Sequence, residues 1–143
     1  MTRTSPSLLA FLLCACAATG GRDSADVLEA LHAQATAWNR GDLEGYMRGY
    51  LESSDLTFFS GGTQTRGYAP VLERYRRRYQ SEGREMGTLA FEDLRVDPLA
   101  SDAALVRGRF RLKASDGETT GLFTLLLRRT AEGWRIVHDH TSV

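Results

Sequence analysis

Apolar side chains recur at helical spacing in three stretches of the chain. In the first stretch, residues 24–41, apolar positions lie three or four residues apart and form one stripe. The stripe comprises Val27, Leu28, Leu31, Ala35 and Trp38. Asp23 or Ser24 is the expected N-cap and Gly41 the expected end, because these residue types favour those positions. The pattern predicts a long first helix with one buried face.

Two further helices are predicted downstream. Asp42 is a suitable N-cap for a short helix. Its buried stripe comprises Leu43, Met47 and Tyr50, with Tyr46 beside them. A third helix is predicted over Tyr68–Ser81, with Pro70 in its first turn, where a missing N–H is harmless. Its apolar stripe comprises Val71, Leu72, Tyr75 and Tyr79, and the intervening arginines are expected to face mostly solvent.

The remaining pattern is that of β-strands. Residues 55–68 predict a strand, a Gly-Gly turn and a short return strand. From Met86 onward, apolar and polar residues alternate in four segments, which are Leu89–Val96, Ala103–Lys113, Thr119–Arg129 and Trp134–Thr141. Short polar loops join these segments, so consecutive strands should pair antiparallel. The order of elements predicts an α+β fold with helices on one face of a curved, mainly antiparallel sheet.

The first 20 residues differ in composition from the rest. One early arginine precedes an apolar run from Leu8 to Ala18, which is shorter than the roughly 20 residues that a membrane span requires. This pattern predicts a signal peptide or lipoprotein signal over residues 1–20 and a single domain over residues 21–143. A buried N-terminal helix is the alternative interpretation.

Two processing routes remain open for this segment. Cys16 occupies the place of the lipidated cysteine in a sequence that resembles a bacterial lipobox, whereas ordinary cleavage would fall after Ala17 or Ala18. Cys14 and Cys16 are the two cysteines of the chain, so the mature domain would contain no disulfide. We therefore expect a protein that a bacterium exports, either to the periplasm or to a lipid anchor at Cys16.

Length and charge limit the function classes. A chain of 143 residues forms one domain, and 42% apolar residues with 25% charged residues is typical of a globular protein. Basic and acidic side chains balance at 18 each, which argues against a nucleic-acid partner. The chain contains no P-loop, dinucleotide fingerprint or nucleophile motif, so no cofactor is expected.

Three segments in the order of the predicted elements resemble the NTF2-like superfamily. They read WNRGDLEGYMRGY, TRGYAPVLERYRRRY and GLFTLLLRRTAEGWRIVHDHTS. Within the superfamily, the chain is most similar to the SnoaL-like domains of the DUF4440 group. The resemblance implies a cone in which three N-terminal helices pack on a strongly curved sheet around an internal cavity. It also implies that a homodimer through the sheet is common, but it does not name a reaction.

The closing strand contains the candidate acid–base residues. Strict alternation places Trp134, Ile136, His138 and His140 on one face and Asp139 on the other, and we expect the first set to face the cavity. His138 and His140 are therefore the candidate catalytic residues, since imidazole transfers protons near neutral pH. A structural hydrogen bond is the alternative role. A metal site with His32 as third ligand is also conceivable, but we expect no metal.

Aromatic residues are the other candidate ligand contacts. We expect eight of them to line the cavity, namely Trp38, Tyr46, Tyr50, Phe58, Tyr75, Phe110, Phe123 and Trp134. Arg107, Arg109 and Arg111 share one strand face, and the outer face of the sheet is the favoured location. None of Asp55, Asp93 and Asp97 fits the carboxylate base of a ketosteroid isomerase.

Three functions follow from these patterns. The first is an exported domain that binds an unidentified small, partly apolar molecule in its cavity, without nucleic acid and with membrane contact only through a lipid at Cys16. The second is a lyase or isomerase that uses a cavity histidine as general acid or base. The third is a non-catalytic structural or dimerisation domain.

Overall fold

The computed structural model describes the backbone of residues 16–143 and the side chains from residue 20 onward, apart from that of Glu82. Most of the predicted signal segment, with Cys14, lies outside the described residues. The helices are α1 (Cys16–Asn39), α2 (Leu43–Met47) and α3 (Tyr68–Tyr79), followed by a 3₁₀ turn at Ser81–Gly83. The strands are β1 (Thr57–Ser60), β2 (Thr63–Arg66), β3 (Thr88–Ala100), β4 (Ala103–Ala114), β5 (Gly117–Thr130) and β6 (Gly133–Ser142).

The six strands form one sheet in the order β2-β1-β6-β5-β4-β3. Strands β3 to β6 form the predicted antiparallel meander, and β1 and β2 form the predicted hairpin. The hairpin joins the meander through β1, which runs parallel to β6 with Thr57 opposite His138. The α+β class and the mainly antiparallel sheet are thereby confirmed.

Helix α1 begins earlier than predicted. The expected N-cap at Asp23 or Ser24 is wrong, because helical backbone already starts at Cys16. Ser24 lies inside the helix, where its hydroxyl donates a 3.0 Å hydrogen bond to the carbonyl of Gly20. This bond from Ser Oγ to the carbonyl four residues earlier satisfies the hydroxyl without ending the helix. None of the helices in the described part of the chain is long and apolar enough to cross a membrane.

The buried stripe of α1 packs on the sheet as predicted. Val27 and Leu31 are fully buried and Trp38 is almost so. The end of the helix is fixed to β3 by Asn39, whose side chain accepts from the backbone N–H of Leu89 at 2.6 Å and donates to its carbonyl at 3.0 Å. Both backbone groups of one residue are thus satisfied by one amide side chain, which sets the distance between helix and sheet.

The two shorter helices follow their sequence signals closely. Asp42 is the N-cap of α2, and its carboxylate accepts from the backbone N–H of Gly45 at 2.7 Å. Helix α3 starts at Tyr68 as predicted and ends at Tyr79, two residues before the predicted Ser81. Side chains of α3 line the cavity described below, among them Tyr75 and Tyr79.

The outer face of the sheet contains the three arginines of β4, as favoured from the sequence. Arg107 pairs with Asp97 at 2.6 Å, and Arg111 pairs with Glu92 at 2.9 Å. Arg109 lies 3.8 Å from Asp93. None of the three lines the cavity. Their role is therefore on the surface rather than in ligand binding.

Candidate functional site

A β-bulge in β6 decides which side chains face the helices. Leu127 pairs with Ile136, but the preceding Leu126 pairs with His138, so Val137 is an extra residue with no partner across the ladder. One extra residue reverses the alternation of faces for everything that follows it. Asp139 therefore continues the inward face that begins with Trp134 and Ile136.

The prediction that His138 and His140 face the cavity is wrong for this reason. Neither lines the cavity. The Nδ1 atom of His138 lies 2.7 Å from Oγ1 of Thr57, and its ring meets Phe59 edge-on at 4.9 Å. His140 is exposed, with its ring 6.0 Å from that of Phe59. Partial burial lowers the pKa of His138, and the charge of His140 lowers it by a smaller amount.

The metal alternative finds no support in the arrangement of side chains. His32 is exposed on α1. In the part of the chain that the structure describes, no three histidine, cysteine or carboxylate side chains lie close enough to hold an ion together.

Asp139 is the buried carboxyl group of the site, with 4% of its surface exposed. Its Oδ2 accepts a 2.7 Å hydrogen bond from the Tyr50 hydroxyl, and its Oδ1 accepts one of 2.7 Å from Thr141. Burial raises the pKa of Asp139 to about 6, although both hydrogen bonds and the charge of His140 act to lower it. Desolvation of the carboxylate thus outweighs its hydrogen bonds.

Three tyrosine hydroxyls form a cluster beside this carboxyl group. The oxygens of Tyr46, Tyr50 and Tyr75 lie 3.3 to 3.4 Å from one another. Burial raises the pKa of all three, so they stay protonated and act as hydrogen-bond donors. Because Tyr50 donates its proton to Asp139, its oxygen can accept from either neighbour. Trp38 packs edge-on against Tyr46 at 5.0 Å and holds the cluster in place.

The cluster opens into a cavity of about 800 Å³ between the helices and the sheet. This volume lies within the range of small-molecule sites. Its walls are mainly apolar and aromatic; apolar lining residues besides the predicted aromatics include Leu89, Phe91, Leu112, Leu125 and Ile136. Asp139, Thr141 and the tyrosine hydroxyls form one polar cluster on its wall. The site therefore places a concentrated set of donors and acceptors beside apolar surface.

The structure places seven of the eight predicted aromatic residues on the cavity wall: Trp38, Tyr46, Tyr50, Phe58, Tyr75, Phe110 and Phe123. The placement of Trp134 there is wrong. Its ring is buried under the Arg129 guanidinium, which lies 4.9 Å from the ring centroid. Trp134 shares the inward face but does not reach the cavity, because it lies at the start of β6, whereas Asp139 and Thr141 lie near its end.

Charged residues that the sequence did not single out also line the cavity. They are Arg74, Arg78, Arg84, Glu85 and Asp116. The arginines of α3 fall into two groups. Arg74 and Arg78 line the cavity, whereas Arg76 and Arg77 do not. The helical spacing of four between Arg74 and Arg78 was the available signal, since residues four apart share a helix face.

Asp139 was the main residue that sequence reasoning missed. Strict alternation assigned it to the outer face, and only the pairing of β6 with β5 reveals the extra residue. The residue type gave no signal of burial, because aspartate side chains are usually exposed.

Comparison with known proteins gives a consistent result. The profile of the family described as a SnoaL-like domain matches residues 27–143. An NTF-2 like protein of unknown function from Shewanella oneidensis MR-1 is 36% identical, with a TM-score of 0.78 over 84% of this chain and 98% of that one. No curated protein matches the chain.

Two further solved structures have the same fold at lower identity. A ketosteroid isomerase-like protein from Erwinia carotovora atroseptica SCRI1043 is 26% identical, with a TM-score of 0.62 over 82% of this chain and 93% of that one. An NTF2-like protein of unknown function from Pseudomonas putida KT2440 is 20% identical, with a TM-score of 0.67 over 86% and 87% of the two chains. At this identity the second likeness concerns the fold alone.

Proposed function

We propose that this protein, which belongs to the SnoaL-like domain family of the NTF2-like superfamily, binds a small, partly apolar molecule in its internal cavity. The observation that supports this most strongly is the buried Asp139–Tyr50 pair at the wall of a cavity of about 800 Å³ that many apolar and aromatic side chains line. The narrower assignment to the DUF4440 group and the strongly curved, cone-shaped sheet remain predictions.

The side chains that line the cavity indicate which class of ligand it would bind. Aromatic and aliphatic side chains favour a ring or chain that leaves water. The hydroxyls of Tyr46 and Tyr75 and the remaining lone pairs of Asp139 favour one oxygen function, a hydroxyl or a carbonyl. Leaving these groups unpaired under an apolar ligand would cost free energy, so a ligand with an oxygen at this end should be preferred.

Proton transfer is the second candidate function, and the pKa of Asp139 favours it. A carboxyl group with a pKa of about 6 is mostly ionised at neutral pH yet is a stronger base than an ordinary aspartate. It could take a proton from a carbon next to a carbonyl, while the Tyr46 or Tyr75 hydroxyl donates to the oxygen on which negative charge develops. Asp139 thus replaces His138 and His140 as the proposed acid–base residue of a lyase or isomerase. The ketosteroid isomerase-like neighbour agrees with this chemistry.

Dimerisation through the outer face of the sheet is a further proposal. Leu122 lies on β5 with 55% of its surface exposed, beside the arginine face of β4. A single exposed leucine is common on protein surfaces, so this proposal rests mainly on the resemblance to a superfamily in which dimers through the sheet are common. In the non-catalytic alternative, this contact would be the function of the domain.

Export remains a proposal that rests on the sequence of the first 20 residues. Mass spectrometry of the protein from a bacterial host should find an N-terminus near Ala17–Ala18, or a lipid at Cys16 that disappears in Cys16→Ser. A full-length, unmodified chain in the cytosol would contradict export.

Ligand binding can be tested with a matched pair of probes. Naphthalene and 2-naphthol differ by one hydroxyl group, and each is small enough for the cavity. We expect 2-naphthol to bind about tenfold more tightly, since a hydrogen bond to a charged group contributes about 1.5–3 kcal/mol. Asp139→Asn should remove most of this difference while naphthalene binding persists.

Two substitutions at neighbouring residues control for the location of binding. Leu125 lines the cavity, and the adjacent Leu126 alternates to the opposite face of β5. Leu125→Trp should fill part of the cavity and abolish binding, whereas Leu126→Trp should leave it unchanged. Binding that survives Leu125→Trp, or no binding of either probe by the wild type, would contradict the proposed function.

A further inference from the structure

Arg74 is held at the cavity wall by three contacts from the β1–β2 hairpin. Its Nη1 donates to Oγ1 of Thr65 at 3.2 Å, and its Nη2 donates to the Ser60 carbonyl at 3.4 Å. Its guanidinium lies 5.1 Å from the centre of the Phe58 ring, in cation–π contact. The half-buried side chain is therefore fixed in one orientation before any ligand binds.

Arg74 has no carboxylate partner among the described residues, a feature that it shares with Arg77 and Arg78. On the same helix, Arg76 pairs with Glu44 at 2.9 Å. Glu85 and Asp116 line the same cavity as Arg74, but neither lies within ion-pair distance of it. Burying part of a guanidinium without a counter-ion costs free energy, and a bound anion would offset that cost.

The guanidinium also has donors to spare. An arginine has five N–H groups in a planar fork, and the two hydrogen bonds of Arg74 use two of them. Three N–H groups thus remain for a ligand. A planar fork of this kind matches the two oxygens of an oxyanion.

Arg74 and Asp139 are linked along one wall of the cavity by aromatic rings. The Phe58 ring beside Arg74 lies 5.7 Å from the Tyr75 ring, and the Tyr75 hydroxyl lies 3.4 Å from that of Tyr50, which contacts Asp139. The apolar body of a ligand lying along these rings would have Arg74 at one end and Asp139 at the other.

We infer that the cavity ligand is an amphipathic organic anion whose carboxylate or sulfonate binds Arg74 and whose apolar body lies along Phe58 and Tyr75. This inference rests on the proposed ligand-binding function and specifies its ligand class. Arg74 is a specificity-determining residue in this arrangement, because it selects for charge rather than for size or shape.

A matched pair of fluorescent probes tests the inference. 8-Anilino-1-naphthalenesulfonate and N-phenyl-1-naphthylamine differ by one sulfonate group. The measured quantity is the ratio of their dissociation constants, compared between the wild type and Arg74→Gln. We expect the variant to lose about tenfold in affinity for the sulfonate relative to the neutral amine, the contribution of a charge-assisted hydrogen bond.

Two further variants make the result specific. Arg77→Gln removes an arginine of the same helix that does not line the cavity, and the ratio should be unchanged. Arg74→Lys keeps the charge but loses the fork, so an intermediate ratio is expected. It also replaces Arg74→Gln if that variant fails to fold by near-ultraviolet circular dichroism.

The outcomes separate the inference from the function on which it rests. If both probes bind and Arg74→Gln leaves their ratio unchanged, the inference is wrong while the proposed function stands. If neither probe binds the wild type, the proposed function is wrong and the inference with it. A tenfold change in Arg74→Gln, with none in Arg77→Gln, supports both.

Discussion

Replacement of Asp139 by asparagine should change how stability depends on pH. The wild-type carboxyl group has a folded-state pKa of about 6, raised by burial from the ordinary value of 3.8. Below pH 3.8 both folded and unfolded chains hold the proton, and the contribution to stability is greatest. Between these values the folded chain keeps a proton that the unfolded chain releases, so stability falls as pH rises and becomes level above about pH 6.

The size of the effect follows from this interval. A difference from 3.8 to about 6 corresponds to about 3 kcal/mol, at about 1.4 kcal/mol per pKa unit. Marginal domains have only about 5–15 kcal/mol of stability in total, so the effect is easily measured. Asparagine has nearly the same shape and cannot titrate. Subtracting its curve from that of the wild type therefore removes the contributions of all other titrating groups that the substitution leaves unchanged.

Urea denaturation of both proteins at intervals from pH 3.5 to 8 gives the two curves. We expect the stability of the wild type, relative to Asp139→Asn, to decline by about 3 kcal/mol across this range, mostly between pH 4 and 6. Repeating the comparison in a His140→Gln background removes the imidazole whose charge acts on Asp139. A difference that stays constant with pH would show that Asp139 is not a desolvated carboxyl group and would refute the reasoning.

Three further predictions concern the tyrosine cluster, a close contact and the outer face. Tyr50→Phe removes a donor that lowers the pKa of Asp139, so that pKa should rise further, as a carboxyl NMR titration would show. Gly121→Ala should destabilise the fold by about 1–3 kcal/mol in urea denaturation, because a Cβ there overlaps the Ser142 carbonyl. Leu122→Glu should convert a dimer to a monomer in sedimentation analysis if the outer face is the interface.

Each of these predictions has a control in the chain. Tyr46→Phe leaves the 2.7 Å bond between Tyr50 and Asp139 in place and should raise the pKa of Asp139 less. Gly21→Ala, at a helical position where a Cβ would meet nothing within 4 Å, should be neutral or stabilising. Leu99→Glu alters another leucine with 59% exposure, near the end of the edge strand β3, and should not change the oligomeric state. Reversed outcomes would contradict the corresponding predictions.

The fold was largely predictable from the sequence because its signals are local. The period-two segments from Met86 onward became the four strands of the meander, and the Gly-Gly turn became the β1–β2 hairpin. The start of α1 was missed because Ser24 can satisfy its hydroxyl inside a helix as well as at a cap.

The site was less predictable because it depends on contacts between distant residues. Val137 is β-branched like an ordinary strand residue, and only the pairing of β6 with β5 makes it a bulge. That single residue exchanges His138 for Asp139 on the cavity wall. In the same way, whether Arg74 faces solvent or cavity depends on the hairpin that packs against α3, which the helical pattern alone does not contain.

The central claim is that Asp139 is a carboxyl group shielded from bulk water that lines the proposed ligand cavity. A carbon-13 NMR titration of its side-chain carboxyl, with and without saturating 2-naphthol, tests this claim most directly. The account predicts a midpoint near pH 6 and a clear displacement of that midpoint when the ligand binds. A midpoint near the ordinary aspartate value of about 3.9, unchanged by ligand, would contradict it.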